Sequence, residues 1–343
     1  MINSLELKNF TCFSDSELQF CKGINVLIGK NGTGKTHIMK CMAATLKANK
    51  QFKSSTSQSK DKYGELLTDA FISYFKPDSL GHLVNNNASE SHISLKINSN
   101  ILRYNFSSSM RLIKTETNRY IKAPTALYIP PREMFSLFDG FISLYEKREV
   151  SFDETYLDLA KALNAAPLKG QAYERSIELI QPLLDKWNIQ VVKRNNRFYI
   201  IEEGKEYEAH LVAEGLRKMA TMLYLVINGE LKENSILFWD EPEANLNPSL
   251  ISVVAELLVN LAKNGIQIFI CTHDYLLTHR LSLYAEYPED NSPEFSFFSL
   301  HKNADGITVE TAKTLAEIQN NAILDEYAGF YDLESELIHR NNR

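Results

Sequence analysis

The stretch that most constrains this chain is Gly29-Lys30-Asn31-Gly32-Thr33-Gly34-Lys35-Thr36, which meets the pattern G-x-x-x-x-G-K-[ST] at every fixed position. Its surroundings agree with it. Ile24–Ile28 is a short apolar run with β-branched residues, suited to a buried strand. His37–Lys47 has helical spacing at Ile38, Met39, Met42 and Leu46. Strand, glycine-rich turn and helix together make an anion cradle. The glycines let backbone N–H groups turn inward without side chains in the way, and the helix aims its positive end at the same place. The residues expected to hold a nucleoside triphosphate are Asn31, Gly32, Thr33, Gly34, Lys35 and Thr36. Lys35 is expected on the β- and γ-phosphate oxygens and the Thr36 hydroxyl on Mg²⁺, so ATP and Mg²⁺ are the expected ligands.

Downstream, Ser235-Ile236-Leu237-Phe238-Trp239-Asp240-Glu241-Pro242 reads as an apolar strand ending in two acids. In a P-loop fold, an acid at the carboxyl end of a buried parallel strand emerges beside the phosphate loop. Asp240 is then a metal-holding residue acting through the Mg²⁺ water shell, and Glu241 the general base that polarises the attacking water. A strand ending in solvated acids is common in isolation. The complete phosphate loop upstream is what favours the catalytic reading, and Pro242 suits the turn that leaves the strand.

Bulk properties narrow the class. A length of 343 residues suits one large α/β domain with an insertion, or two modest ones. A net charge of −6 argues against coating nucleic acid by overall positive charge. The charge is unevenly spread, however. Lys96 to Glu133 holds seven basic residues against two acids, and Tyr284 to the end holds twelve acids against four basic residues. Cys12, Cys21, Cys41 and Cys271 form no CxxC pair and read as buried or partly buried thiols of a reducing compartment. With no signal-like N-terminus and no apolar run approaching the roughly 20 residues of a membrane span, a soluble cytoplasmic protein is expected.

Periodicity predicts strands at Ser4–Leu7, Glu17–Phe20, Ile24–Ile28, His92–Ile97, Ile101–Phe106, Arg111–Thr115 and Thr125–Ile129. Further strands are expected at Ile189–Lys193, Arg197–Glu202, Ser235–Trp239, Ile266–Cys271, Phe295–Leu300 and Ile307–Thr311. Helical spacing covers His37–Lys47, Leu66–Phe75, the segment from Phe135 to Tyr145, Tyr156–Leu163 and Ala172–Trp187. It returns at Ala213–Asn228, Ser249–Asn264, Leu315–Asn321 and Asp332–Arg340. Gln51–Lys62, rich in Ser, Lys and Gln, reads as a mobile surface loop.

With these motifs in place, Phe238-Trp239-Asp240-Glu241-Pro242-Glu243-Ala244-Asn245-Leu246-Asn247-Pro248 resembles the Walker B and D-loop of ABC-type ATPases, in the branch of SMC, RecF and the overcoming-lysogenization-defect ATPases. The N-terminal LELKNFTCFSDSELQF resembles the first hairpin of those heads. Ile268-Phe269-Ile270-Cys271-Thr272-His273 is similar to their H-switch strand, so the resemblance makes His273 a contact to the γ-phosphate. His210-Leu211-Val212-Ala213-Glu214-Gly215-Leu216-Arg217-Lys218 occupies the place of the ABC signature, which binds the γ-phosphate held by the opposite protomer. Here Ala213 replaces the usual serine and Glu214 the first glycine, while Gly215 remains. Arg217 and Lys218 could supply the lost positive character or could equally be solvated. Tyr128-Ile129-Pro130-Pro131-Arg132-Glu133-Met134 lies near the Q-loop position without a glutamine, leaving Glu133 or Arg132 for its coupling role.

The resemblance implies an α/β fold, an ABC-type P-loop ATPase head with a mixed central sheet, an antiparallel β subdomain and a helical lobe. It implies one domain over 1–343, with an N-terminal lobe at 1–130, a helical insertion at 131–190 and a C-terminal lobe at 191–343. It also implies an ATP-sandwiched homodimer or higher oligomer. Relatives of the overcoming-lysogenization-defect type continue into a Toprim nuclease, and only 70 residues follow His273 here, so a separate effector, a nuclease or toxin, is expected in a phage-defence module. The acid-rich tail reads as a solvated or partner-facing helix. Two alternatives stand beside this. One is a DNA-repair or chromosome-maintenance head gripping duplex DNA through Lys96–Lys122 and the turn Lys193–Arg197, and the other is a scaffold that binds nucleotide without hydrolysing it.

Overall fold

The structure, a computed structural model, describes residues 1–181, 184, 189–303 and 306–341. Its centre is a mixed six-stranded sheet. Across it lie β14 (Gly306–Ala312), β13 (Phe295–Asn303), β3 (Ile24–Gly29), β12 (Gln267–Thr272), β11 (Ile236–Asp240) and β7 (Ala126–Ile129), in that order. The five strands from β13 to β7 run parallel, and β14 pairs antiparallel at one edge. Successive side chains alternate between two cores. Val26, Ile28, Leu237, Trp239, Ile268 and Ile270 enter one, and Leu27, Phe238, Phe269 and Cys271 the other. A parallel sheet covered on both faces needs apolar side chains on both, which is why these strands read as continuous apolar runs.

The first core is closed by α4 (Glu154–Asn164), α6 (Glu214–Ile227), α7 (Pro248–Lys263) and α8 (Tyr275–Glu286). The second is closed by α1 (Lys35–Lys53), α2 (Lys60–Phe75) and an antiparallel sheet. That sheet has the order β2 (Phe13–Gln19), β1 (Ile2–Phe10), β4 (Glu90–Ile97), β5 (Asn100–Ser107) and β6 (Lys114–Thr115). A separate three-stranded sheet of β10 (Lys205–Glu208), β9 (Arg197–Glu202) and β8 (Ile189–Arg194) sends Ile189, Phe198 and Ile200 into the first core. Two short helices, α3 (Phe141–Glu146) and α5 (Gln171–Glu178), and the long α9 (Ala322–Asn341) complete the described α-helices.

Several expectations need correction. The loop expected over Gln51–Lys62 is confined to 54–59: α1 continues to Lys53 and α2 starts at Lys60, capped by the Ser59 hydroxyl accepting from the Lys62 N–H at 3.1 Å. Phe52 is fully buried and stacks on Tyr63 at 4.5 Å, so packing overrides a Ser- and Lys-rich composition. The segment from Phe135 to Tyr145 is helical only over α3. Phe135 and Phe138 instead clasp Phe198, at 4.0 Å and 4.9 Å between ring centroids. Their three-residue spacing serves a turn rather than a helix. Arg111–Thr115 contributes only the two residues of β6, and Leu315–Asn321 only a single turn at Leu315–Glu317. The predicted Ala172–Trp187 helix is α5 at its start; 182–183 and 185–188 lie outside the described residues. Helix α8 and strand β10 lie where periodicity predicts no element.

Candidate active site

Strand order assembles the site. β12 lies between β3 and β11, with Asp240 opposite Cys271 and Thr272 opposite Ile28. The carboxyl ends of three adjacent parallel strands therefore deliver the glycine-rich loop, Thr272–His273 and Asp240–Glu241 to one edge. Gly34 caps α1 with φ +89°, and a Cβ there would lie 2.6 Å from both the Cys12 Sγ and the Phe13 ring. Only glycine fits, because left-handed backbone and close approach coincide. Gly32, at φ +80°, faces open space.

Lys35 is buried and its ammonium donates to the carbonyls of Gly29 (2.7 Å) and Lys30 (3.0 Å). Burial lowers its pKa, and the nearby Asp240, Glu241 and Glu243 carboxylates act against that shift. The Thr36 hydroxyl bonds the Asp240 carboxylate at 2.9 Å, and the buried Tyr128 hydroxyl donates to the same oxygen at 3.0 Å. Burial raises the Asp240 pKa, and these two hydrogen bonds oppose it. A hydroxyl and a carboxylate converging here are hard oxygen donors of the kind Mg²⁺ takes while keeping several waters, so the residues fit that ion.

Glu241 leaves β11 in a left-handed conformation, φ +49°, with its N–H donating to the Cys271 carbonyl at 2.9 Å. The His273 ring, half-exposed, sits between two carboxylates: its Nδ1 is 3.8 Å from Glu241 and 3.7 Å from Glu243. Glu243 is buried and accepts from the Thr272 hydroxyl at 2.7 Å and the His273 N–H at 3.2 Å. Burial raises its pKa, while the Thr272 hydrogen bond works in the opposite direction. The loop ends at α7, where Asn247 caps Leu250 N–H at 3.0 Å and Pro248 takes the first turn.

Lys35, Thr36, Asp240, Glu241 and His273 therefore come together. Ala213, Glu214 and Gly215 lie elsewhere, at the N-terminus of α6 against the loop after Glu243. Ala213 is exposed, and Glu214 accepts from the Asn245 side chain at 2.7 Å. Gly215 is buried where a Cβ would lie 2.9 Å from Leu246. Arg217 and Lys218 are not solvated. Arg217 Nε bonds the buried Glu133 at 2.9 Å, and the buried Lys218 donates to the carbonyls of Glu241 (2.9 Å) and Ala244 (3.0 Å). Flanking the β8–β9 turn, Arg194 pairs with Glu206, and Arg197 with Asp139 at 3.4 Å. Sequence reasoning gave no role to Tyr128 or Glu243. The one available signal was Glu243, a third acid two places past Glu241; Tyr128 reaches Asp240 only through the pairing of β7 with β11.

Comparison with known proteins agrees with this fold. The SMC head domain from Thermotoga maritima superposes with a TM-score of 0.51 at 12% identity, covering 91% of this chain and 99% of that one. The SMC head bound to the C-terminal winged-helix domain of ScpA gives 0.57 at 13% identity, covering 92% of this chain and 99% of that one. The Pyrococcus furiosus Smc head with an extended coiled coil gives 0.51 at 12% identity, covering 97% and 99%. At such identities the likeness concerns the fold, and the fold is that of an ABC-type ATPase head. The Old nuclease of Escherichia phage P2 is 50% identical over 42 residues, which are 12% of this chain and span only 7% of that protein's length. Residues 24–278 match the model of the family described as "AAA domain, putative AbiEii toxin, Type IV TA system", and the chain belongs to that family of P-loop ATPases.

Proposed function

We propose that this chain binds ATP and Mg²⁺ in the Gly29–Thr36 loop, hydrolyses the ATP with Glu241 as general base, and works as one half of a dimer or higher assembly. One observation supports the chemistry most directly: the Thr36 hydroxyl and the Asp240 carboxylate are in contact, with Glu241 and His273 beside them. Lys35 exchanges its two loop carbonyls for β- and γ-phosphate oxygens, whose negative charge compensates its burial better than the carbonyl dipoles do. Thr36 and Asp240 would hold Mg²⁺, which would supply positive charge for the phosphoryl oxygens. Glu241, about one-third exposed, accepts a proton from the attacking water. In this reading the His273 imidazole, which lies between Glu241 and Glu243, bridges the base and the γ-phosphate.

The Ala213–Gly215 helix end completes the site of a second copy, and the whole of 1–343 acts as one head. Its exposed N-terminus favours an anion through the helix dipole even without the usual serine hydroxyl. Exchange Glu241→Gln in the full chain tests this. Light scattering after size exclusion with ATP and Mg²⁺ is expected to show a stable dimer, with turnover down at least about 100-fold. Unchanged turnover would remove Glu241 from its role.

The effector reading rests on the family description, which names a toxin–antitoxin system, and on the short likeness to a phage nuclease. In this reading the chain controls a separate nuclease or toxin in bacterial antiviral defence. Coexpression with the product of the adjacent gene tests it, the supporting result being a complex whose nuclease or toxic activity changes with ATP. Salt-dependent duplex binding by the chain alone, lost on charge reversal at Arg194 and Arg197, would favour chromosome maintenance instead.

A further inference from the structure

Lys218 is a buried cation with no catalytic contact of its own. It lies on the first turns of α6, only 2% exposed, and spends two of its three N–H donors on backbone carbonyls of another element. One carbonyl belongs to Glu241, whose positive φ is a conformation that L residues other than Asn and Asp rarely hold without outside support. The other belongs to Ala244, in the loop that leads on to Asn245 and α7. Both carbonyls stand on the same segment, so one ammonium fixes its path from either end of a single turn. The same helix presents Ala213 to solvent at its N-terminus and joins Glu133 through Arg217.

We propose that Lys218 is a positioning residue for hydrolysis: it holds the Glu241 backbone in its left-handed turn and makes that turn dependent on the seating of α6. The inference rests on Glu241 being the base. Anything that shifts the exposed end of α6, including a nucleotide carried by a second copy, then moves the base by way of Lys218. The carboxylates that face the ammonium, Glu243 first, then Glu214, Glu241 and Asp240, keep a positive charge tolerable at a site where burial opposes it.

The test uses the full chain carrying K218M, E241Q and both. Methionine fills similar space without donors. K218M is expected to lower kcat at least about tenfold, to leave the dissociation constant of a fluorescent ATP analogue within about threefold of wild type, and to keep the unfolding midpoint within a few degrees. Because Lys218 acts through Glu241, the double variant should be no slower than E241Q alone. Wild-type kcat in K218M, or losses that add in the double variant, overturns the proposal. So does equal weakening of nucleotide binding and turnover, which marks a merely structural residue. If E241Q itself keeps turnover, the base assignment falls and this inference with it; if E241Q is inactive and K218M is not, only this inference falls. Should K218M fail to fold, K218Q, which keeps two N–H donors without the charge, is expected to bind nucleotide normally with kcat between K218M and wild type. Wild-type kcat in K218Q would be the overturning result there.

Discussion

At the scale of single residues, the site is a cluster of buried charges whose protonation is linked to stability. Burial pushes the Lys218 ammonium down to about 8 from its ordinary 10.5. Below pH 8 both native and unfolded chains hold that proton, and confining the charge costs about 3 kcal/mol. As pH rises through 8 the native state releases the proton while the unfolded state keeps it, so this residue adds stability toward alkaline pH. Two thiols, the partly buried Cys21 and the buried Cys41, pull the other way: desolvation raises Cys21 to about 11 and Cys41 to about 12, so the unfolded chain ionises first. The informative quantity is therefore a difference. Urea unfolding at pH 7.5 and 9.5 is expected to show wild type gaining about 1–2 kcal/mol relative to K218M. A constant difference would mean that the native lysine titrates normally. Tyr128 belongs to the same scale. Its hydroxyl bonds an oxygen of Asp240 that Thr36 also reaches, so Tyr128→Phe should raise the Mg²⁺ concentration giving half-maximal turnover by several-fold, read in a metal titration.

Among elements, the clearest contrast is between those buried on both faces and those whose fate depends on a distant neighbour. Strands β3, β11 and β12 were evident from their runs of Val, Ile, Leu and Phe, and α6 and α7 from their apolar stripes. Composition finds the loop at 54–59 but overruns both its ends because it is a local average, whereas Phe52 seats against Tyr63 across the α1–α2 connection. Phe52→Ala should lower stability by about 3–5 kcal/mol, measured by calorimetry or urea unfolding. A loss under 1 kcal/mol would restore the picture of a loose loop. The 133–140 segment failed for a related reason: helical spacing in Phe135 and Phe138 cannot be told from two rings gripping a third on β9. Helix α8 passed unnoticed because its buried residues are few, Leu277, Thr278, Leu281 and Ser282, and two of them are polar.

The whole molecule shows an asymmetry between a packed head and an appended helix. Helix α9 carries Leu324, Tyr327, Phe330, Tyr331, Leu333, Leu337 and Ile338 in exposed positions, with Phe330 and Tyr331 each 68% accessible. Near its start Ile323 is buried and Tyr327 rests on Tyr275 at 4.7 Å, while every residue from 324 to 340 is exposed. The sequence reading of a solvated or partner-facing helix agrees with that exposure, though the helix starts ten residues earlier than expected. An exposed apolar stripe favours association but adds little to the head's own stability. Removing the chain from Leu324 onward is thus expected to move the unfolding midpoint by less than about 3 °C and to reduce light scattering at high concentration. A larger fall in midpoint would mean that α9 is part of the core.

The phosphate loop, the acid pair and the strands that carry them are legible in the order of residues alone. Those features are local: glycine where φ must be positive, a hydroxyl and lysine at fixed offsets, an apolar run ending in carboxylates. Tertiary structure decided which strands are neighbours, and so brought Thr36 to Asp240 and His273 between Glu241 and Glu243. It also turned Lys218 and Arg217 from candidate surface cations into internal ties, because a long side chain's partner depends on which backbone it meets rather than on its place in the sequence.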